Sequence, residues 1–338
     1  MNGIDLPKVL ITGGAGFVGR HLTSRLLSMN WEVVVVDNLS IGSGGITPSN
    51  GWPLFNPFDY KNFSYINRDC REYFESESNE EFDYIFHLAA IVGGRITIEK
   101  NPLAVAEDLA IDSDMWSWAA KGKVSKVVNF SSSAAYPVTL QASTDKYISL
   151  KEDLISFDGN IGMPDLTYGW SKLTSEYLGK IAWERHGIKS VVYRPFSGYG
   201  KDQDLTYPFP SICKRAVESQ NLPIFKVWGN GKQSRDFIHI EDCITGVLAT
   251  MDKIDDGSAL NLSTGVPTSF LDFARIATRQ CGYSPEIVGD ESKPTGVLSR
   301  VGDTTKQKLM GFSSSISIDK GIAECIEYFQ MHLNECIK

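Results

Sequence analysis

Tyr168 and Lys172 stand four residues apart in Tyr168-Gly169-Trp170-Ser171-Lys172. On a helix that spacing puts a phenol and an ammonium on one face. A free tyrosine titrates near pH 10 and is a poor base at neutral pH. A neighbouring cation favours the phenolate and brings it toward the range useful for taking a proton from an alcohol. Alone, the spacing is common and marks no more than a helix surface. Two other clusters change its weight. Ser131-Ser132-Ser133 follows the apolar run Val127 to Phe130, where a hydroxyl could bond the oxygen that Tyr168 deprotonates, although serines at a strand end also build turns. Thr12-Gly13-Gly14-Ala15-Gly16-Phe17-Val18-Gly19 follows a second apolar run and opens an apolar-periodic segment.

Glycines in this G-x-x-G-x-x-G spacing permit a tight turn and the close approach of a pyrophosphate. The helix that follows offers its unpaired N–H groups to the anion. Asp37, about 20 residues on, closes a β-branched run from Trp31 to Val36, where a carboxylate can accept from a ribose 2′-OH. It would repel a 2′-phosphate, so NAD fits better than NADP. Asp69, after the run Phe63 to Ile66, can accept from an adenine amine. His87-Leu88-Ala89-Ala90 ends another run, and its small residues would let a cofactor lie across the sheet edge. His87 itself reads as a buried, satisfied histidine. A positive nicotinamide would reinforce the effect of Lys172 on Tyr168, and Lys172 could also hold the nicotinamide ribose.

These residues need a scaffold that gathers strand ends at one edge. Lys8 to Thr12, Trp31 to Val36, Phe63 to Ile66, Tyr84 to Leu88, Val127 to Phe130 and Ser190 to Tyr193 read as strands buried on both faces. Helical stretches separate them, from Phe17 to Leu27, from Leu103 to Ala120 and from Thr167 to Gly187. Alternation of this kind predicts an α/β fold with a doubly wound parallel sheet. Past Arg194, prolines and glycines punctuate shorter elements and predict a smaller α/β domain, so the division falls at 1–193 and 194–338. Ser317 is placed to cap a closing helix from Ile318 to Ile337. Ile41 to Asn62 and Pro137 to Leu166 read as long loops, whose length alone assigns no role.

The 338 residues suit one large or two intimate domains, with 42% hydrophobic and 22% charged residues, as in folded globular chains. A net charge of -8, without Lys and Arg runs interleaved with aromatics, argues against a nucleic-acid surface. The six cysteines form no Cys-x-x-Cys pair and no zinc-finger spacing with histidine, so no metal is expected. Scattered thiols suit a reducing cytoplasm. Neither a basic, apolar leader nor a membrane-length apolar stretch is read from the chain.

Taken in order, these motifs resemble those of the extended short-chain dehydrogenase/reductases, within them the nucleotide-sugar epimerase/dehydratase family. Thr12 to Gly19, Asp37-Asn38-Leu39-Ser40, His87 to Ala90, Phe130 to Tyr136 and Tyr168 to Lys172 match. So do Trp228 to His239 with Asp242, Arg300 to Asp303, and Leu309 to Phe312. The resemblance implies a Rossmann domain holding NAD and a C-terminal domain holding a nucleoside-diphosphate sugar. It places the catalytic hydroxyl on Ser132, beside Tyr168 and Lys172. Cofactor contacts are implied at Gly13, Gly16, Phe17, Val18, Gly19, Asp37, Asn38, Asp69, Cys70, Leu88, Ala89, Ala90, Ser131 and Pro195. Substrate contacts are implied at Val92, Gly93, Arg95, Ser133 and Ser197, with Arg235 and Arg300 on the diphosphate, a role suited to bidentate, always-charged side chains.

Departures narrow what the resemblance implies. The family's 4,6-dehydratases carry Asp-Glu between the hydroxyl residue and the tyrosine, and its decarboxylases carry Glu; here Ser133 and Ala134 stand there. Its GDP-fucose synthases and GDP-mannose 3,5-epimerases have Cys at the position of Ala134, although Ala90 to Gly94, Ala135-Tyr136-Pro137 and Lys293 to Gly296 look like those enzymes. Asp108 and Ser197 each replace a usual Asn. The reading reached is a 4-epimerase working through a transient 4-keto sugar, with a C4 dehydrogenase or ketoreductase as its rival and a GDP-sugar 3,5-epimerase further off. A homodimer through helices around Leu109 and Tyr177 is also implied.

Overall fold

The computed structural model describes residues 6–40, 43–76, 80–91, 93, 95–159, 161–220 and 222–335. The first half runs β1 (Lys8–Thr12), α1 (Phe17–Ser28), β2 (Glu32–Asp37), β3 (Phe63–Asn67), α2 (Cys70–Ser76), β4 (Phe82–His87), α3 (Arg95–Lys100), α4 (Pro102–Val105), α5 (Asp108–Ala119), β5 (Val124–Phe130), β6 (Ser149–Leu150) and α6 (Leu166–His186). The second runs β7 (Ser190–Pro195), α7 (Pro208–Glu218), β8 (Ile224–Trp228), β9 (Ser234–Asp236), α8 (Ile240–Thr250), β10 (Asp256–Leu262), β11 (Pro267–Ser269), α9 (Phe270–Gln280), β12 (Glu286–Asp290), β13 (Ser299–Gly302), α10 (Thr305–Leu309) and α11 (Ile318–Glu335).

Seven parallel strands form the main sheet in the order β10-β7-β5-β4-β1-β2-β3. The expected α/β, doubly wound, Rossmann-type architecture is present. Its strands carry unbroken apolar runs because both faces are covered. In β1 and β2, Val9, Ile11, Val33 and Val35 enter one core, and Leu10, Val34 and Val36 enter the other. The strand order reverses between β1 and β4, which leaves a crevice at their carboxyl ends. A small layer holds a second sheet, β11-β9-β13-β6, and a parallel pair, β12-β8. It packs an aromatic core of Phe209, Phe225, Phe237 and Phe273.

Chain order and layer do not coincide. β10 and α8, beyond residue 194, belong to the large sheet and its core, whereas β6, before it, pairs with β13 of the small layer. The helix expected over Leu103 to Ala120 is two helices. Around Ala106 and Glu107 the bonding tightens, with Glu107 N donating to Ala104 O at 3.1 Å and Leu109 N to Ala106 O at 3.1 Å. A tertiary contact accompanies the break: Asp108 turns fully inward, and its Oδ1 accepts from Ile91 N at 2.5 Å. The described parts of the long loop 137–166 are held by short 3₁₀ turns and by β6, and 43–62 by Trp52, whose Nε1 donates to Ile46 O at 2.7 Å. Ser317 caps α11 as expected, its Oγ accepting from Lys320 N at 3.3 Å.

Candidate active site

Gly13 leaves β1 with φ of 72°, and a Cβ there would fall 2.6 Å from Ala89 N. Glycine is required because the turn touches the backbone at the end of β4. The turn delivers α1 with Gly16 as its N-cap, no capping side chain and no acid in its first turn, so these N–H groups remain available to an anion. Asp37 fastens the turn to β2: its Oδ2 accepts from Ala15 N at 2.9 Å and its Oδ1 from Leu39 N at 2.8 Å. Burial raises its carboxyl, against those two backbone donors and Arg20. Asp69 is gripped by Arg71 through Nε at 3.0 Å and Nη2 at 2.9 Å, and Asn38 Nδ2 donates to it at 3.1 Å. Burial pushes the neighbouring Cys70 thiol up to about 12, so it stays neutral. A turn of glycines, a free helix start and a strand-end carboxylate fit a dinucleotide.

His87 is buried and satisfied. Its Nδ1 is hydrogen-bonded with the Thr12 hydroxyl at 2.8 Å, and its Nε2 with the Asp112 carboxylate at 3.0 Å. Tyr168 and Lys172 rise from the first turns of α6 opposite the Ser131–Ser133 turn. The two elements are in close register: Asp165 N donates to Ala134 O at 3.0 Å, and a Cβ on Gly169 would meet that same oxygen at 2.5 Å. Ser132 reaches the Tyr168 phenol, and its Oγ also accepts from Ala134 N at 3.1 Å. Ser131 donates instead to Glu176, which is paired with Arg194 at 2.6 Å.

Burial raises the Tyr168 phenol above its ordinary pKa, while Lys172 and the Ser132 hydroxyl pull it down. The lowering expected from the lysine is therefore present but outweighed by desolvation. Lys172 is itself buried, which works against its charge, yet Asp112, Asp108 and the phenol hold its pKa above the usual value. Asp108 is pushed up to about 6, chiefly by burial, and its Oδ2 has no partner among the described residues.

At the opposite wall stand three arginines. Asp165 accepts from Arg95 Nη1 and from Arg300 Nη2, each at 2.8 Å. Arg300 Nε also donates to Gln141 at 2.5 Å. Among the described residues Arg235 donates to carbonyls, Ser234 O at 2.7 Å and Thr295 O at 3.3 Å, and lies over the Phe270 ring; burial beside Arg300 lowers it to about 9, against the pull of Asp165. A desolvated guanidinium that hydrogen-bonds no carboxylate among the described residues suits an anion.

One cavity of about 880 Å³ is lined by every candidate catalytic, cofactor and substrate contact named from the sequence except Val92, which lies outside the described residues. That set includes Leu88, Ala90, Gly93, Ser133, Pro195 and Ser197. Among the described residues of the long loops, 137–166 supplies Asp165 and 41–62 supplies Ser43 and Gly44, whereas Gln203 to Tyr207 contribute heavily. Residue-type reasoning passed over Arg71, Asp165 and Tyr207. An acid three residues before Tyr168, at the start of a helix, was the one available signal for Asp165.

The sequence model of the NAD dependent epimerase/dehydratase family matches residues 9–263. The chain belongs to that family. Its motifs and fold are those of an extended short-chain dehydrogenase/reductase, the group of nucleotide-sugar epimerases and dehydratases, for which NAD is the cofactor. The UDP-N-acetyl-alpha-D-glucosaminuronate decarboxylase of Bacillus cytotoxicus is 27% identical over 333 residues, covering 96% of this chain and 98% of that one. The GDP-L-colitose synthase of Yersinia pseudotuberculosis is 24% identical over 338 residues, covering 97% and 98%. Among solved structures, the UDP-glucuronic acid 4-epimerase of Bacillus cereus, in complex with UDP-glucuronic acid and NAD, superposes with a TM-score of 0.79. It is 26% identical, with 96% of this chain and 99% of that one covered.

Proposed function

We propose that the protein is an NAD-dependent nucleoside-diphosphate-sugar 4-epimerase. One observation carries the reading: Tyr168, Ser132 and Lys172 share a cavity with the glycine turn and with Arg235 and Arg300. In this reading the large sheet holds the dinucleotide over Gly13, Gly16, Phe17, Val18 and Gly19, with Asp37 on its ribose. The small layer holds the sugar diphosphate through Arg235 and Arg300. NAD, when bound, supplies a reversible hydride acceptor for the C4 carbinol. Tyr168 takes the C4 hydroxyl proton through Ser132 and returns it, Lys172 favours the phenolate, and the 4-keto sugar turns over between the two transfers.

Ser133 and Ala134 are both buried and carry no carboxyl or thiol, so these positions supply no acid or base for dehydration, decarboxylation or C3/C5 epimerisation. The likeness to a 4-epimerase solved with UDP-glucuronic acid and NAD supports the same assignment. Exposed Leu109 on α5 and Tyr177 on α6, which pack side by side, support pairing with a second copy.

The test is incubation of the purified protein with UDP-, GDP-, CDP- and dTDP-sugars, with products resolved by mass and NMR and NADH followed by absorbance. C4 inversion without net NADH is expected. Stoichiometric NADH formation would instead establish a dehydrogenase, and full turnover by Tyr168→Phe would sink both readings.

A further inference from the structure

The residue that joins the arginine wall to the tyrosine is Asp165. Its side chain and its backbone do different work. The carboxylate is buried and clamped from two directions, by Arg95 from α3 and by Arg300 from β13, each at 2.8 Å. Its N–H donates to Ala134 O at 3.0 Å, on the turn that carries Ser132, and its carbonyl accepts from Gly169 N at 2.9 Å inside the first turn of α6. The next residue, Leu166, has φ of 56°. A branched, non-glycine residue in the left-handed region is strained and persists only where its surroundings over-determine it. Leu166 is 39% exposed, so the packing of its own side chain does not hold it there. Two residues further on stands Tyr168.

We propose that Asp165 is a positioning residue for Tyr168. Arg95 and Arg300 clamp its carboxylate, the clamp holds the strained Leu166 turn, and that turn aims the phenol at Ser132. Arg300 thereby serves two ends of the site, the anion and the tyrosine. Arg235, which hydrogen-bonds no carboxylate among the described residues, is left to the anion alone. The inference rests on the assignment of Tyr168 as proton acceptor made above.

The measurement is kcat and KM for Asp165→Asn, with any nucleotide sugar that the parent enzyme converts, beside the dissociation constants of UDP and GDP by calorimetry. Asparagine keeps the shape and removes the charge that two guanidiniums grip. We expect kcat to fall at least tenfold, while binding of the diphosphate changes less than threefold, because losing a competing carboxylate does not remove Arg235 or Arg300. Glycine enters the left-handed region at no steric cost. Adding Leu166→Gly to Asp165→Asn should therefore recover kcat at least threefold.

A kcat within twofold of the parent, or a loss confined to KM, would overturn the proposal, because a stabilising ion pair or an arginine-orienting role predicts those results. Should Asp165→Asn not fold by circular dichroism, Arg95→Gln removes one arm of the clamp and keeps the Asp165–Arg300 pair. It must then lower kcat, and Leu166→Gly on that background must recover kcat at least threefold; a kcat within twofold of the parent, or no recovery, would overturn the proposal. The parent's own product decides between epimerase and dehydrogenase, and the variant-to-parent ratio tests Asp165 alone.

Discussion

A phenol, an ammonium and two carboxyls, all largely buried, set the chemistry of the site at the scale of single residues. In the proposed reaction the phenolate is the working form of Tyr168, and burial keeps its pKa high. Activity should therefore climb as pH rises toward that pKa. Lys172→Met removes the nearest cation and should move the limb of log kcat/KM to higher pH, as a pH profile would record. Asp108 behaves oppositely. Its carboxyl is raised from 3.8 to about 6, so between these values the folded chain holds a proton that the unfolded chain has lost. Its stability contribution falls as pH rises through that window. Asp108→Asn, neutral throughout, should unfold like the parent near pH 4 and be more stable above pH 6, by up to about 3 kcal/mol. Equal melting temperatures for the two proteins at pH 7.5 would contradict this. The sequence alone exposed Tyr168, Lys172 and Ser132 because a spacing and a neighbouring cluster report chemistry directly. It could not expose the net direction of the phenol's shift, since desolvation depends on what tertiary packing places over the ring. Asp165 was hidden for the same reason, as both of its arginines come from distant segments.

At the scale of elements, repeated apolar strands and the glycine turn made the large sheet legible, because both faces of each strand are buried and only apolar residues fit. The break between α4 and α5 was not legible: its apolar periodicity continues, and the contact from Asp108 to Ile91 is tertiary. A clasp across the cofactor side was equally invisible. Arg20, on α1, donates to Ala15 O at 2.8 Å, to Gly44 O at 3.3 Å and to Asp202 Oδ2 at 2.9 Å, so one side chain ties the glycine turn to two loops. His21, next to it, bonds Asp202 at 2.7 Å and Glu241 of α8 at 3.1 Å. Burial disfavours its charge, but the two carboxylates win and raise its pKa. Among the described residues, Arg20 pairs with Asp202 and Arg25 with Glu241, and the His239 ring accepts from Glu241 N. The histidine's contribution is full below its ordinary pKa and is lost as pH rises through the raised one. His21→Gln should cost on the order of 2 kcal/mol at pH 6 and clearly less at pH 9, measured by urea unfolding. A penalty that does not vary with pH would show that the ring is held neutral.

For the whole molecule, the helix pair α5 and α6 is the surface where assembly is testable. Tyr177→Asp would place a charge at the centre of the proposed contact, and light scattering should then report monomer where the parent is dimer. A parent that is already monomeric removes that proposal and leaves the site untouched. The exchange of strands between layers has a broader consequence. β6 lies early in the chain but belongs to the late layer, and β10 and α8 do the reverse, so the polypeptide is stitched through its own two halves. Fragments cut at 193/194 should each be insoluble or molten when expressed alone, and the intact chain should melt in a single step. Swapping one half for that of a relative would then carry a seam through both sheets, so new specificity is more readily reached by exchanging rim loops such as 201–207 than by shuffling halves.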